Sequence, residues 1–527
     1  MTFTFQINDS ITFNRNETWI LTAEDNKPTL KSKTIYPKRL VDVQPNKDSL
    51  GGVKVSAADL CLNKLADYSF NKGEKLIIDF GDHYVGHFKL AISTKGSQMD
   101  APLYFKIRFA ETPAELMMEA ADYDGWLSSS WIAEEKIHFD VLPATFIFPR
   151  RYSFRYVAIT VLDTSPKWQV TFEHPELIAE SSVDLATVKT IETDDSLLKR
   201  IDEVSLKTLG DCMQLVFEDG PKRDQRLWLG DLRLQSLTNY LTFGETAIVK
   251  RCLYLFAALT AEDGRVSANI FTKGRIAADD TFLFDYSLFF ISSLKDYYEY
   301  SNDLKTVNDL YSIAKKQIDL AIDLLNDEFL LKLNEDWPVF IDWSNDMDKN
   351  TAAQAVLIYV LKDFLQLARL VKEPEFNFYL MMCQRLEKAA KKQLFSKDKG
   401  FFVSGTGEEI NLASQIWMIL ANVLEKEEQE KLAKKVLQRF FPIKGIATPY
   451  MYHHVAEALF QTGMKVEAIQ LIKDYWGKMI SLGADTFWEA FMPEDINYSP
   501  YGSPLVNSYC HAWSCTPAYL FRKYLTD

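Results

Sequence analysis

Hydrophobic and polar positions follow two different periods along the chain. Through residues 1–180 short runs alternate: Lys75-Leu76-Ile77-Ile78-Asp79-Phe80, Phe88 to Ile92, Leu103 to Phe109, Phe154 to Val161 and Gln169 to Phe172. A period of two, rich in aromatic and β-branched residues, predicts strands with one buried face. Several short strands separated by turn residues predict a β-sandwich of jelly-roll type. The pattern changes between Ser181 and Asp195. From there apolar residues recur at helical spacing, first as Leu197, Leu198, Ile201, Val204, Leu209 and Met213. Ahead of them stands Thr193-Asp194-Asp195-Ser196, with the composition of an N-cap. Further stripes run over 310–325, 352–371, 376–394, 415–424, 427–441 and 454–479. The expected organisation is therefore a β domain over 1–180 and a helical domain over 181–527. The second is long enough for about twelve helices. In antiparallel pairs these could close into an (α/α)6 barrel, although periodicity shows helices and not closure.

Composition narrows the class without selecting a function. The chain has 527 residues, 47% hydrophobic and 25% charged, which predicts a globular protein of more than one domain. Its net charge of −14, with no basic run, argues against a nucleic-acid partner and is indifferent to neutral sugars. Cys61, Cys212, Cys252, Cys383, Cys510 and Cys515 are scattered and form no CxxC pair, which fits a reducing compartment. Cys510 and Cys515 read as small buried apolar residues. Residues 1–9 lack the basic and apolar regions of an export signal. No apolar run reaches the roughly 18 residues of a membrane span; the window Phe282 to Leu294 carries Asp285. A soluble cytoplasmic protein without a membrane partner is expected. No CxxC and no GxGxxG before a strand is present, and no convincing metal pair, so no metal or cofactor is expected. His83 and His87 stand four apart, but in a segment read as strand and turn.

The candidate chemistry lies in the second half. The densest charge cluster is Glu218-Asp219-Gly220-Pro221-Lys222-Arg223-Asp224-Gln225-Arg226-Leu227-Trp228-Leu229-Gly230-Asp231. Gly220-Pro221 places Asp219 to Arg223 in a loop just after a helix, where a scaffold displays reactive groups. Sugar hydrolysis needs an acid for the leaving oxygen, carboxylates for hydroxyls and an indole for the apolar ring face, and this stretch holds all three. A solvated, salt-bridged loop would have the same composition. A second cluster is Thr486-Phe487-Trp488-Glu489. A Glu in apolar company suits proton transfer, and a Glu at a helix N-terminus would look the same. Asp336-Trp337 and Asp342-Trp343 pair acids with indoles, a combination shared by sugar sites and structural tryptophans. His511, in Cys510-His511-Ala512-Trp513, reads on its own first as a core histidine on a late helix.

In this order the clusters resemble glycoside hydrolase family 78, the bacterial α-L-rhamnosidases. The resemblance rests on Asp219, Pro221, Arg223, Asp224, Trp228, Gly230 and Asp231, then Thr486-x-Trp488-Glu489, then Ser508-x-x-His511. In the first half it rests on Asp79-Phe80-Gly81, Val85-Gly86-His87 and Phe154-Arg155-Tyr156-Val157. It implies an (α/α)6 barrel and an inverting mechanism, with Asp224 as general acid and Glu489 as general base. It also implies that Asp219, Arg223, Trp228 and Asp231 bind the sugar, and that Asp342, Trp343 and His511 line the same subsite. The family's acid is usually Glu. Counting back from Asp231 gives Asp224, whereas a one-residue shift gives Gln225, which cannot donate a catalytic proton. The chain runs 16 residues past His511, so the C-terminal β domain of many members is expected to be missing. The substrate implied is a small rhamnosylated saccharide or glycoconjugate. A related glycosidase of other sugar specificity, or a non-catalytic sugar-binding protein, fits the same residues, and a homodimer is left open.

Overall fold

The computed structural model describes residues 11–344 and 346–525. Residues 1–9, read above for export signals, lie outside that range. The first domain is an antiparallel sheet. Its strands are β1 (Lys31–Ile35), β2 (Arg39–Pro45), β3 (Val53–Ala57), β4 (Lys75–Gly96), β5 (Leu103–Ala110), β6 (Glu134–Phe139), β7 (Ala144–Ile147), β8 (Tyr152–Asp163) and β9 (Trp168–Ser181). The order β1-β9-β4-β8-β5-β6 forms the backbone of the sheet, with β2 and β7 also on β4 and β3 on β2. Alternation sorts the side chains onto two faces. Leu76, Ile78, Val157 and Ile159 enter the main apolar cluster, while Ile77, Tyr156 and Ala158 enter a smaller one with Val41 and Leu116.

The predicted runs 75–80 and 88–92 are one strand. The register on β8 shifts between Asp79 and Tyr84, and Gly81 takes φ +82 there, so β4 bends without ending. His83 and His87 accordingly both lie in strand. Ahead of the sheet, helix α1 (Glu17–Asp25) packs on the helical half, where Arg251 donates to Ala23 O and Glu24 Oε1, both at 2.8 Å.

The second domain is helical. Its helices are α2 (Ser196–Cys212), α3 (Leu229–Tyr240), α4 (Thr246–Ala258), α5 (Phe284–Ser301), α6 (Leu304–Ile322), α7 (Asn350–Val371), α8 (Phe376–Ala389), α9 (Leu412–Leu420), α10 (Lys426–Phe440), α11 (Pro449–Gln461), α12 (Lys465–Ser481) and α13 (Pro517–Tyr524). The predicted cap of α2 is Asp195, whose carboxylate accepts from the N–H groups of Leu197 and Leu198. The stripe 454–479 holds two helices, divided where Gly463 adopts φ +78. Neighbours alternate along the chain: α3 packs on α5, α5 on α7, α7 on α9 and α9 on α11. No helix among the described residues is long and apolar enough to cross a membrane.

The N-terminal ends of α3, α5, α7 and α11 meet at one place. Asp231 lies in the first turn of α3, and the Tyr286 ring, in the first turn of α5, packs where a Cβ on Gly230 would stand 2.3 Å from it. Gly230 is thus required by the approach of two helices. Lys349, the cap residue of α7, donates to Asp342 O, and Asp342 holds Thr448, the cap residue of α11. Four helix N-termini face one region, a setting that favours negative charge.

Candidate active site

The predicted loop after α2 is a tight turn closed on itself. Asp219 Oδ1 accepts from the Arg226 N–H at 3.0 Å, and Gly220 bridges to Asp224. Asp224 and Gln225 both adopt left-handed backbone, with φ +62 and +53. Such conformations are costly for residues with a Cβ and cluster where function demands them. Trp228 follows in a short strand paired with Asn269–Phe271, and its ring meets Tyr286 edge-on at 6.3 Å.

Arg223 joins the two ends of the sequence motif. Its Nη1 donates to Asp224 Oδ1 at 3.0 Å and its Nη2 to Glu489 Oε2 at 2.5 Å, while Nε donates to Val506 O at 3.0 Å. Tyr501 gives its hydroxyl proton to the other oxygen of Glu489, and its ring lies under the guanidinium at 4.3 Å. Glu489 is buried in an irregular segment, not at a helix N-terminus, and its N–H donates to Ser508 O at 3.0 Å.

His511 stands between the two outer acids of the first cluster. Its Nε2 lies 3.9 Å from Asp219 Oδ2 and its Nδ1 lies 3.6 Å from Asp231 Oδ1. It precedes a short 3-10 turn and not an α-helix. Burial, with the Arg223 charge adding to it, holds the imidazole well below its ordinary pKa, so it is neutral. Burial also pushes the carboxyls of Asp219 and Asp231 well above the carboxylate range. The neighbouring charges of Asp224 and Asp231 reinforce it at Asp219, and that of Glu489 at Asp231. Asp231 Oδ1 and His511 Nδ1 are buried and make no hydrogen bond among the described residues. Neighbouring buried polar atoms left unsatisfied suit a polyhydroxylated ligand.

Asp342 belongs to the scaffold. Its four acceptor positions are taken by the N–H groups of Ser344, Ala447 and Thr448, at 2.8, 3.1 and 3.0 Å, and by the Thr448 hydroxyl at 2.5 Å. The carboxylate therefore clasps the start of α11 and is not available to a sugar. Trp343 packs edge-on to Tyr501 at 5.9 Å, so it touches the site through that ring. Gln225 is tied at both ends, donating to Pro221 O at 2.6 Å and accepting from Lys273 Nζ. Sequence motifs missed Tyr501, Asp285 and Thr448. Asp285 accepts from the N–H groups of Phe340 and Ile341, both at 3.0 Å, and so sets the segment that carries Asp342. Its one visible signal was a charge inside the apolar window 282–294.

Residues 186–525 match the bacterial α-L-rhamnosidase six-hairpin glycosidase domain, and residues 37–179 match the N-terminal domain of glycosyl hydrolase family 78 α-rhamnosidases. The chain belongs to glycoside hydrolase family 78. It is a glycoside hydrolase of the α-L-rhamnosidase kind. A rhamnosidase from Klebsiella oxytoca, solved with rhamnose bound, is 42% identical, with a TM-score of 0.94 over 98% of this chain and 100% of that one. The family 78 rhamnosidase of Bacillus sp. GL1 superposes with a TM-score of 0.73 at 20% identity, over 89% of this chain and 49% of its own. That of Dictyoglumus thermophilum gives 0.67 at 18%, over 94% and 52%. These two share the fold and are about twice as long as the chain. No curated protein matches it.

Proposed function

We propose that the chain releases terminal α-L-rhamnose from small rhamnosides with inversion at the anomeric carbon. Glu489 takes a proton from water as the water oxygen bonds to the anomeric carbon. The bond to the aglycone oxygen breaks, and Asp224, as the general acid, gives that oxygen a proton. The observation that carries the reading is the Arg223 guanidinium, which holds Asp224 and Glu489 on separate terminal nitrogens. Two carboxyl groups from opposite ends of the domain are thereby bound to one guanidinium. Asp219, Asp231 and His511 bind the sugar hydroxyls, and Trp228 offers an apolar ring face. The tied amide of Gln225 favours Asp224 as the acid.

The bound sugar of the Klebsiella oxytoca relative supports rhamnose as the glycone. The scaffold we infer is a sheet folded over as a sandwich, followed by a closed (α/α)6 barrel. In support of closure, α11 also packs on α13 and α13 returns to α3. A cytoplasmic location and a disaccharide or glycoconjugate substrate go together, because a polymer does not reach the cytoplasm intact. The test is proton NMR of an aryl α-L-rhamnoside digest. β-Rhamnose as the first product supports inversion, α-rhamnose overturns it, and binding without turnover turns the reading to a sugar-binding protein.

A further inference from the structure

The segment 506–511 is held by consecutive residues from two directions. From the helical domain, Arg223 binds Val506 O, Glu489 N–H binds Ser508 O, and the Thr486 hydroxyl donates to Tyr509 O at 2.8 Å. From the sheet domain come two buried carboxylates that no motif flagged. Glu111, just past the end of β5, accepts the Tyr509 N–H on Oε2 at 2.6 Å. Glu115, on the turn Pro113–Leu116, binds Lys222 Nζ, and Lys222 donates to Asn507 O at 2.8 Å. Lys222 is the residue before Arg223, and Ser508 O is the backbone partner of Glu489. Each sheet-domain carboxylate therefore stands one residue from a group that touches the catalytic base.

Both carboxylates are themselves fixed. Glu115 Oε2 accepts from the N–H groups of Glu111 and Thr112, each at 2.8 Å. Glu111 Oε1 accepts from the Ser153 hydroxyl at 2.7 Å and from His83 Nε2 at 3.1 Å. The other ring nitrogen of His83 meets Asp211 Oδ2, on α2, at 2.6 Å. His83, Asp211 and Cys510 come close enough to share an ion. That place is already positively charged: Lys207 Nζ lies 2.5 Å from Asp211 Oδ2. Burial opposes charge on His83, yet the Cys510, Asp211 and Glu111 groups around it hold its pKa well above the ordinary value. The cluster is thus a charged strut between the domains, ending on the Glu111 carboxylate.

We propose that Glu111, seconded by Glu115 through Lys222, is a positioning residue for glycoside hydrolysis: the sheet domain sets the height of segment 506–511 and with it the Glu489 carboxylate and His511. This rests on the assignment of Glu489 as the base. A long loop between irregular segments has little stiffness of its own, and catalysis is lost steeply when a reacting group moves by about 1 Å. The sheet supplies the stiffness.

The experiment uses the full chain and an aryl α-L-rhamnoside, with Glu111→Ala and Glu111→Gln beside wild type. Rhamnose binding is measured by calorimetry on the same preparations. Glu111→Ala is expected to lower kcat about 10- to 100-fold, with an altered pH profile and rhamnose still bound at the wild-type stoichiometry. Glu111→Gln keeps an acceptor for the Tyr509 N–H and is expected to fall between. Unchanged kcat and pH profile in a folded variant overturn the proposal. So does a kcat that falls only in step with binding stoichiometry, or loss of folding in both variants, since each assigns Glu111 to holding the domains together. An inert wild type, by contrast, overturns the assignment of the active site itself.

Discussion

Arg223 Nη2 donates to Glu489 Oε2 at 2.5 Å, and both side chains are buried. The guanidinium is a rigid fork, and its second terminal nitrogen is spent on Asp224, so one residue spaces the two carboxyl groups. Lysine keeps the charge and loses the fork. Arg223→Lys is expected to lower kcat on an aryl rhamnoside about 100-fold while rhamnose affinity changes much less. A larger effect on affinity than on kcat would assign Arg223 to ground-state sugar binding.

The two carboxyl groups are separable by leaving group. Glu489→Gln is expected to lose about 10³-fold in kcat on every aryl rhamnoside, because water activation is needed whatever departs. Asp224→Asn is expected to lose a similar factor on substrates with a basic leaving oxygen and far less on a dinitrophenyl rhamnoside, which departs without a proton. Equal losses of Asp224→Asn across the series would remove it as the acid.

Much of this site was legible in sequence because its members lie close together. Asp219, Arg223, Asp224, Trp228 and Asp231 fall within one turn and the helix start after it, so spacing marked the cluster, while the roles came from the family resemblance and not from composition. Tyr501 was not legible. It reaches Glu489 across a loop, and a tyrosine between turn residues carries no signal of its partner. Glu111 was hidden for a different reason: it binds a backbone N–H, which every residue but proline offers. Asp342 shows the converse. Its pairing with Trp343 looked like sugar chemistry, and the N–H groups that occupy it come from residues 447 and 448, on another helix. Periodicity found most helices and misjudged two breaks. Gly463 divides one stripe into two helices, and the bend at 79–84 leaves β4 one strand.

The clasp of Asp342 on Ala447 and Thr448 has a consequence for stability. Removing the carboxylate leaves buried donors without acceptors, at about 1–3 kcal/mol for each one unsatisfied. Asp342→Ala is expected to lower unfolding stability by about 3 kcal/mol or more, read from urea midpoints, and to reduce kcat through the displaced start of α11. A variant as stable as wild type would show that the four bonds contribute nothing net.

Asp231 lies close to both His511 and the charge of Glu489, and its pKa stands well above that of an exposed carboxyl because it is buried there. The sign of the linkage follows. With a raised folded pKa the native state binds more protons than the unfolded chain, so this contribution is complete below about pH 3.9, the unfolded value. It is lost as pH rises through the folded value. Asparagine abolishes the titration. Asp231→Asn is therefore expected to unfold at a higher temperature than wild type at pH 7, by an amount worth about 1–2 kcal/mol, and the difference should shrink toward pH 4. The same variant should lose most rhamnosidase activity if the carboxyl binds the sugar as proposed. Thermal unfolding of both proteins from pH 4 to 8 decides it: a gap that stays constant with pH would mean that Asp231 titrates as an ordinary carboxyl.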